Sequence, residues 1–237
     1  MTILRDQNIL MGGYDLTTTA NSVTVVGGRE TQDVTVFTNQ TRLYAAGLKT
    51  ASIEAAGFYE ADPYDAALFD ELSLDAGTPF SVANGSSPGD SAYSLRSFLG
   101  DYKPFGNAVG DIAGYSAGAA SSGDLVRGTL MLKSTVSASG QSTARQLGAV
   151  ASGKKLYAIL HVFSVDGTTP TLDVIIRSDN GSGMSSPITR VTFDQLIDIG
   201  AQWVELDGPV TDDWWDVDYT LGGTGPEFGF AVILAIQ

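Results

Sequence analysis

The sequence contains no cysteine, a single histidine and few basic residues, 13 Lys and Arg in 237 positions. Without cysteine the chain forms no disulfide and no thiolate zinc site. The one histidine, His161, lies inside the most apolar segment, which predicts a hydrogen-bonded core or face residue and not a general base. No glycine-rich phosphate loop is followed by Lys and Ser or Thr. We therefore predict no enzyme activity, no metal and no cofactor.

The chain also lacks long hydrophobic runs. No window approaches the roughly 20 apolar residues that span a bilayer, and no basic region precedes an apolar core and a cleavage site at the N-terminus. The formal net charge is −14. A negative chain does not displace the counterions of nucleic acid phosphates, so nucleic acid binding is not expected. These features predict a soluble protein made in a cytoplasm.

What is present favours a large all-β protein. Hydrophobic residues make up 43% of the sequence, enough to bury a core, and 28 glycines punctuate the apolar segments. Residues 21–60 alternate polar and apolar positions, with Val23 and Val25 on one face and Ala51 and Ile53 on one face of a later strand. Period-two alternation indicates half-buried antiparallel strands. The polar residues 38–49 between them predict a long ordered loop, which usually binds something or contacts a neighbour.

One short helix is predicted over residues 61–72. Asp62 is a good N-cap, and Pro63 fits the first helical position, where its missing N–H costs nothing. Tyr64, Leu68 and Leu72 fall on one face. Acidic residues near the C-terminal end oppose the helix dipole, so packing against a sheet has to hold this helix.

These features together resemble a bacteriophage (siphophage-type) major tail tube protein. The resemblance rests on a Val-rich first strand, an acidic strand ending in Thr-Val-Phe at 35–37, a loop with Thr-Arg at 41–42 and Gly-Leu-Lys at 47–49, a strand closing on Gly-Phe at 57–58, and the short acidic helix. It covers roughly residues 9–74 and is one of pattern. Any secreted or viral β-sandwich is the alternative.

The resemblance implies a structural virion protein that assembles with itself and with other phage tail proteins. Its rings, trimeric or hexameric, stack into a tail tube through which DNA passes without specific binding, and a negative lumen would keep the DNA from sticking. An N-terminal arm and the loop would contact neighbouring subunits. The contact candidates are Ile9, Leu10, Met11, Thr38, Asn39, Gln40, Thr41, Arg42, Leu43, Tyr44, Gly47, Leu48 and Lys49. The expected location is the phage tail, after synthesis in the cytoplasm of the host bacterium.

The remaining sequence predicts two β domains. Residues 1–136 form the tail-tube-like sandwich with its arm, ending in a well-alternating strand at 126–136. Residues 137–144 read as a linker, and residues 145–237 as a second sandwich of jelly-roll or Greek-key type with one helical turn at 194–199. In this half, residues 155–165 predict a strand buried on both faces, and residues 166–170 a turn. The second half is a duplicated tube domain or a decoration.

An acidic cluster surrounds two tryptophans near the C-terminus. Asp213, Trp214, Trp215, Asp216 and Asp218 could bind calcium or stack on a sugar, and paired carboxylates also occur in glycosidases. The spacing matches no EF-hand loop. Acids alternating along a strand are also an ordinary solvent face, with Trp in the core. The alternative function that follows is a capsid decoration protein or a glycan-binding tail module.

Overall fold

The computed structural model describes residues 6–74 and 77–237 and confirms an all-β fold. Its strands are β1 Asn8–Met11, β2 Tyr14–Asp15, β3 Ala20–Asp33, β4 Tyr44–Phe58, β5 Thr78–Ala83, β6 Ser91–Pro104, β7 Gly114–Ser121, β8 Val126–Val136, β9 Gly140–Gln141, β10 Arg145–Gln146, β11 Lys155–Asp179, β12 Ile188–Thr192, β13 Gly200–Asp207 and β14 Trp214–Ile236. A 3₁₀ turn covers Leu16–Thr18, a π turn Ala61–Asp65, and the helix α1 Ala66–Glu71. The predicted strand at 126–136 coincides with β8.

All strands join one antiparallel sheet system. The main path runs β12-β11-β14-β8-β6-β5-β1-β2, and a branch of β3, β4 and β7 joins it through β6. The two halves of the chain meet where β8 pairs with β14, from Val136 opposite Phe228 to Thr129 opposite Leu234. The sheet therefore continues from one half of the chain into the other.

The second half is built on two very long strands. β11 pairs with β14 from Leu156 opposite Ile236 to Asp179 opposite Trp214, with register shifts between Val162 and Thr171. Residues 166–170 are therefore a bend inside one 25-residue strand, and the predicted chain reversal there is wrong. Gly167 has a φ of +116° and Gly223 across from the bend +102°, a conformation that favours glycine. Side chains from both arms of this bent ribbon share one core.

The described residues of the second half contain no helix. Residues 194–199 were expected to form a helical turn, but Leu196 instead bridges Leu172 of β11 through two backbone hydrogen bonds of 2.8 and 3.0 Å. Pairing with an adjacent long strand satisfies these backbone groups better than an isolated turn.

The predicted linker at 137–144 contributes to the sheet. It contains β9, whose Gln141 lies opposite Asp218 of β14. The Leu221 amide donates to Ser139 Oγ at 2.9 Å, and the Ser142 amide donates to the Val217 carbonyl at 2.8 Å. The division into domains 1–136 and 145–237 stays a prediction.

The N-terminal segment is part of the core. β1 pairs with β5, and Ile9, Leu10 and Met11 are almost completely buried. These three side chains therefore pack inside their own subunit, and the expectation that this segment contacts a neighbouring subunit stays a prediction. Residues 1–5 of the expected arm lie outside the described residues.

The helix is shorter than the sequence predicts. Asp62 has extended backbone angles, φ −126° and ψ 136°, and is not the N-cap residue: α1 begins at Ala66, with Asp65 at its N-cap. A residue before proline is pushed out of the helical region, which explains the late start. Leu68 is buried against the first-half core and Tyr64 packs beside it, whereas Leu72 is exposed.

Candidate functional site

The feature that stands out from the body of the subunit is the hairpin of β3 and β4. The strands pair from Ala20 opposite Gly57 to Asp33 opposite Tyr44. The connecting loop is therefore residues 34–43, and the predicted loop at 38–49 is corrected, because residues 44–49 continue β4. Thr35 closes the loop: its hydroxyl accepts from the Leu43 amide at 2.9 Å, and its own amide donates to Asp33 Oδ1 at 2.9 Å.

The outer part of this hairpin is a free two-stranded ribbon. β7 pairs with β4 only over Ser52–Phe58, so within the described residues Tyr44–Ala51 has β3 as its single sheet neighbour. At about 3.3 Å per residue, this part extends roughly 25 Å beyond the sheet. A Lys49–Asp124 ion pair of 2.8 Å ties its root to the body. Isolated two-stranded ribbons are marginally stable in water, so this one gains from packing on something outside the subunit.

The ribbon presents apolar side chains to solvent. Phe37 at its end is fully exposed, and Leu48 is 75% exposed. Further exposed apolar side chains on the ribbon are Val34, Val36, Leu43 and Tyr44. We call residues 34–43 the hairpin tip. Large apolar side chains gathered on one projecting element indicate a protein contact surface.

The contact candidates proposed from the sequence separate into two groups. Ile9, Leu10 and Met11 are buried. The others all lie on the outer ribbon or its tip and are exposed or half-buried: Thr38, Asn39, Gln40, Thr41, Arg42, Leu43, Tyr44, Gly47, Leu48 and Lys49. Their role in subunit contacts stays a prediction.

The sheet that carries the ribbon has two unpaired edges. Its order is β3-β4-β7-β6, and within the described residues β3 pairs with β4 alone along its 14 residues. At the other side, β6 pairs with β5 only over Ala92–Ser97, which leaves residues 98–104 with β7 as their one neighbour. Unpaired edge strands are templates for pairing with another chain.

The two faces of this sheet differ. One face packs on the first-half core through Ile53, Ala55, Ala117 and Ala119. The other face presents mainly small and polar residues from all four strands, among them Thr24, Ser52, Ser116 and Gly118. Glu54, Asp101 and Lys103 and the exposed apolar side chains of Val26 and Phe98 share this face. Lys103 is paired with Asp101, and this hydrogen bond raises the pKa of the lysine.

A second exposed apolar segment was missed by sequence reasoning. Residues 105–113, which we call the basal loop, connect β6 to β7 and expose Phe105, Val109 and Ile112. Gly106 and Gly110 were the sequence signal for a loop, and in the structure Gly110 has a φ of +100°.

The acidic cluster near the C-terminus forms ion pairs. Arg177 binds Asp216 through Nε at 3.0 Å and Nη2 at 2.5 Å and also binds Asp218. Arg190 binds Asp212 at 2.8 Å, and hydrogen bonds from Arg190 and from Ser178 lower the pKa of Asp212. The positive charges of these arginines neutralise buried carboxylates that would otherwise have no counter-charge.

Most of the calcium or sugar candidates Asp213, Trp214, Trp215, Asp216 and Asp218 have partners within the chain, and a binding role for them stays a prediction. Trp215 is completely buried and donates from Nε1 to the Gly148 carbonyl at 2.9 Å, while Trp214 is half-buried. Asp213 accepts from Gln146 at 2.5 Å. Among the described residues, no group of three or more His, Cys, Asp and Glu side chains could hold a metal ion.

His161 is a hydrogen-bonded core residue, as its sequence position predicts. Its Nδ1 lies 2.9 Å from the Gly12 carbonyl and its Nε2 lies 2.8 Å from Ser81 Oγ, so both ring nitrogens are satisfied. Burial lowers the pKa of His161 to about 4. The ring is neutral at pH 7 and inaccessible to a substrate.

No helix in residues 6–74 and 77–237 has the length and apolar character needed to cross a membrane.

Comparison with known proteins gives structural neighbours only. No family model and no curated protein matches the chain. A chain of the native gene transfer agent virion is 20% identical with a TM-score of 0.42, over 53% of this chain and 97% of that one. The Dit protein of phage SPP1, described as a hub adsorption apparatus protein, is 15% identical with a TM-score of 0.40, over 98% and 100%. A chain of the sheath–tube complex of an extracellular contractile injection system is 9% identical with a TM-score of 0.43, over 54% and 90%.

These neighbours are components of phage and gene transfer agent particles and of an injection system. Each of these TM-scores is below 0.5, so the function proposed below rests on the residues and the geometry of this chain.

Proposed function

We propose that this protein is a structural subunit of a phage tail, which assembles with copies of itself into rings that stack into a DNA-conducting tube. The observation that carries the proposal is the four-stranded sheet with two open edges, 14 residues of β3 on one side and residues 98–104 of β6 on the other. The sequence resemblance to tail tube proteins implies the same assembly. Other tail proteins would join the ends of the tube.

Ring formation follows from the chemistry of the edges. The two edges belong to different strands, so pairing β3 of one copy with β6 of the next is a heterologous contact, which generates a closed ring when the rotation between copies closes. Each junction would satisfy backbone groups that are open in the single subunit and would leave the ring without edges. Trimeric and hexameric rings both meet this condition.

The polar face of the same sheet suits the wall of a channel for DNA. Most of its residues are small or polar, with Val26 and Phe98 as exposed apolar exceptions, and in its centre the two acids Glu54 and Asp101 outnumber the one base Lys103. A smooth face that offers few cations makes no stable phosphate contacts. DNA would therefore pass along it without specific binding.

The absence of cysteine allows a clean cross-linking test. A variant with Thr24→Cys on β3 and Lys103→Cys on β6 would be treated with a short bismaleimide and separated on a denaturing gel. If different edges of neighbouring copies meet, the double variant gives a ladder that ends at one closed ring. Each single variant is the matched control and gives no species larger than a dimer.

The same samples would be viewed by negative-stain electron microscopy. Rings with a central hole support the proposal, and their symmetry gives the number of subunits. A protein that stays monomeric up to about 1 mM and gives no ladder would contradict it. A glycan-binding or decoration role would instead give discrete oligomers without a central channel.

A further inference from the structure

The hairpin tip and the basal loop lie at opposite ends of the same sheet. In β4, Tyr44 adjoins the tip, whereas Phe58 at the other end lies opposite Gly114, the residue after the basal loop. β4 has 15 residues, so about 50 Å separate the two apolar segments along the strand direction. A translation along the strands therefore brings the tip of one copy onto the basal loop of another.

The basal loop is held in a defined shape. Phe105 donates its amide to the Gly114 carbonyl at 3.0 Å, and Asn107 Oδ1 accepts from the Gly114 amide at 2.8 Å. The Tyr59 amide donates to the Ala113 carbonyl at 2.9 Å, and the Tyr59 ring lies 4.3 Å from the Phe105 ring. A preformed loop loses little entropy when it binds, which suits it as a docking surface.

Both segments expose apolar side chains, and each carries one charge, of opposite sign in the two segments. The tip exposes Val36 and Phe37, and Arg42 is its one charged residue. The basal loop exposes Val109 and Ile112, and Asp111 is its one charged residue. In a chain with 27 acids and 13 bases, slightly more than half of random pairings between charged residues of two copies bring like charges together. The opposite charges of these two segments favour their pairing over other contacts.

We propose that the hairpin tip of each copy docks onto the basal loop of a copy in the next ring, with Arg42 facing Asp111. This inference rests on the proposed ring-forming function and names the partner surface of the ribbon. The contact joins two different surfaces and repeats along the strand direction, so it extends as an open stack and does not close on itself. Burial of the tip also stabilises the ribbon, whose two strands have only each other as sheet neighbours within the described residues.

The test is a charge swap measured on rings and on stacks. Arg42→Asp and Asp111→Arg each place like charges at the contact, and the double variant R42D/D111R restores opposite charges. Sedimentation would measure the fraction of chain in stacks, and electron microscopy would count single rings. We expect each single variant to form rings but to stack at roughly tenfold higher protein concentration, and the double variant to return to within about threefold of the unmodified chain.

Two further variants separate this contact from general effects. Glu227→Arg makes the same charge change as Asp111→Arg on the exposed bend of β14 and is expected to stack normally. Replacing residues 34–43 by Asn-Gly keeps the Asp33–Tyr44 pair and closes the ribbon with a two-residue turn, so rings form without stacks.

The outcomes distinguish the two proposals. Rings that stack equally well in both single charge variants overturn the tip–loop contact and leave the ring function standing. Single variants that fail to stack, with no recovery in the double variant, overturn the pairing of Arg42 with Asp111. An unmodified chain that forms neither rings nor stacks overturns both proposals.

Discussion

At the residue scale, the buried histidine gives the protein a defined acid sensitivity. His161 of β11 is fully buried against the N-terminal segment and β5, and burial lowers its pKa from 6.5 to about 4. The unfolded chain therefore binds a proton at pH values where the folded chain does not. The stability that the neutral ring contributes is complete above about pH 6.5 and is lost as the pH falls towards 4, up to about 3 kcal/mol.

Chemical unfolding measured between pH 7 and pH 4 checks this prediction. His161→Gln should be less stable at pH 7, because it packs and hydrogen-bonds less well, but its free energy of unfolding should change less over that range. Asp212, whose pKa is lowered, loses its stabilising ion pair only below its ordinary pKa of 3.8 and so does not contribute in this window. If the free energy of unfolding changes equally with pH in both proteins, a group other than His161 titrates in this range.

A second prediction concerns the buried carboxylate of Asp216. Its side chain is 1% exposed and is neutralised mainly by Arg177. Arg177→Met removes this partner and leaves a buried charge, so we expect a loss of roughly 3–5 kcal/mol in the free energy of unfolding. The double variant R177M/D216N carries no charge at Asp216 and should recover part of the loss. A double variant less stable than Arg177→Met alone would contradict the assignment.

At the element scale, the bend of the long ribbon depends on glycine. A Cβ at Gly167 would lie 2.7 Å from the Gly225 carbonyl oxygen, and its φ of +116° strains any other residue. We expect Gly167→Ala to lower the free energy of unfolding by about 3 kcal/mol, from strain and clash together. Gly225→Ala is the matched control in the same bend: its φ is +57° and no atom lies within 4 Å, so about 1 kcal/mol is expected.

Thermal or urea unfolding of the two alanine variants would measure this difference. If both variants lose the same free energy of unfolding, the bend opens to accommodate a Cβ at Gly167. The close approach of β11 to β14 would then not be what keeps the ribbon rigid.

The hairpin gives a prediction of protease sensitivity. The tip has few contacts and carries Arg42 in an exposed loop, so trypsin should cut the isolated subunit there first, because exposed loop tips unfold locally at little cost. In stacked assemblies the same bond should resist cleavage at least tenfold longer. Arg42→Gln is the control that removes the site. Equal cleavage in both states would mean that the tip stays free after assembly.

At the scale of the whole molecule, the net charge of −14 opposes assembly. Copies of this chain repel each other strongly at 0.01 M salt, where the screening length is about 30 Å. The repulsion is much weaker at 0.5 M salt, because the screening length is shorter. We expect assembly, followed by light scattering, to begin at a lower protein concentration in 0.5 M NaCl than in 0.01 M. A higher threshold in salt would mean that ion pairs across the contacts outweigh the overall repulsion.

The sequence predicted those features that depend on local pattern. Period-two alternation predicted the strand at 126–136, and a nearly continuous apolar run predicted the doubly buried strand that begins β11. The isolated His161 in that apolar segment predicted a core residue. The exposed position of residues 38–49 also followed from their polarity. These properties are encoded by neighbouring residues, since the side-chain period of a strand is a local property.

The sequence could not predict the features set by pairing between distant segments. Residues 166–170 have the sequence of a turn that reverses the chain. Only the pairing of β11 with β14 on both sides of these residues shows that they form a bend within one strand. Arg177 and Asp216 lie 39 positions apart, so their ion pair depends on sheet register. The burial of residues 9–11 likewise depends on the pairing of β1 with β5, a distant segment of the chain.

By itself, the sequence determined the fold class of this protein, its lack of cysteine chemistry and its strong negative charge. Only the tertiary structure decided which edges stay open, which apolar residues remain outside, and that the hairpin tip and the basal loop lie at opposite ends of one sheet. The physical reason is that a strand specifies its own alternation locally, whereas its partner and register are fixed by the packing of the whole chain.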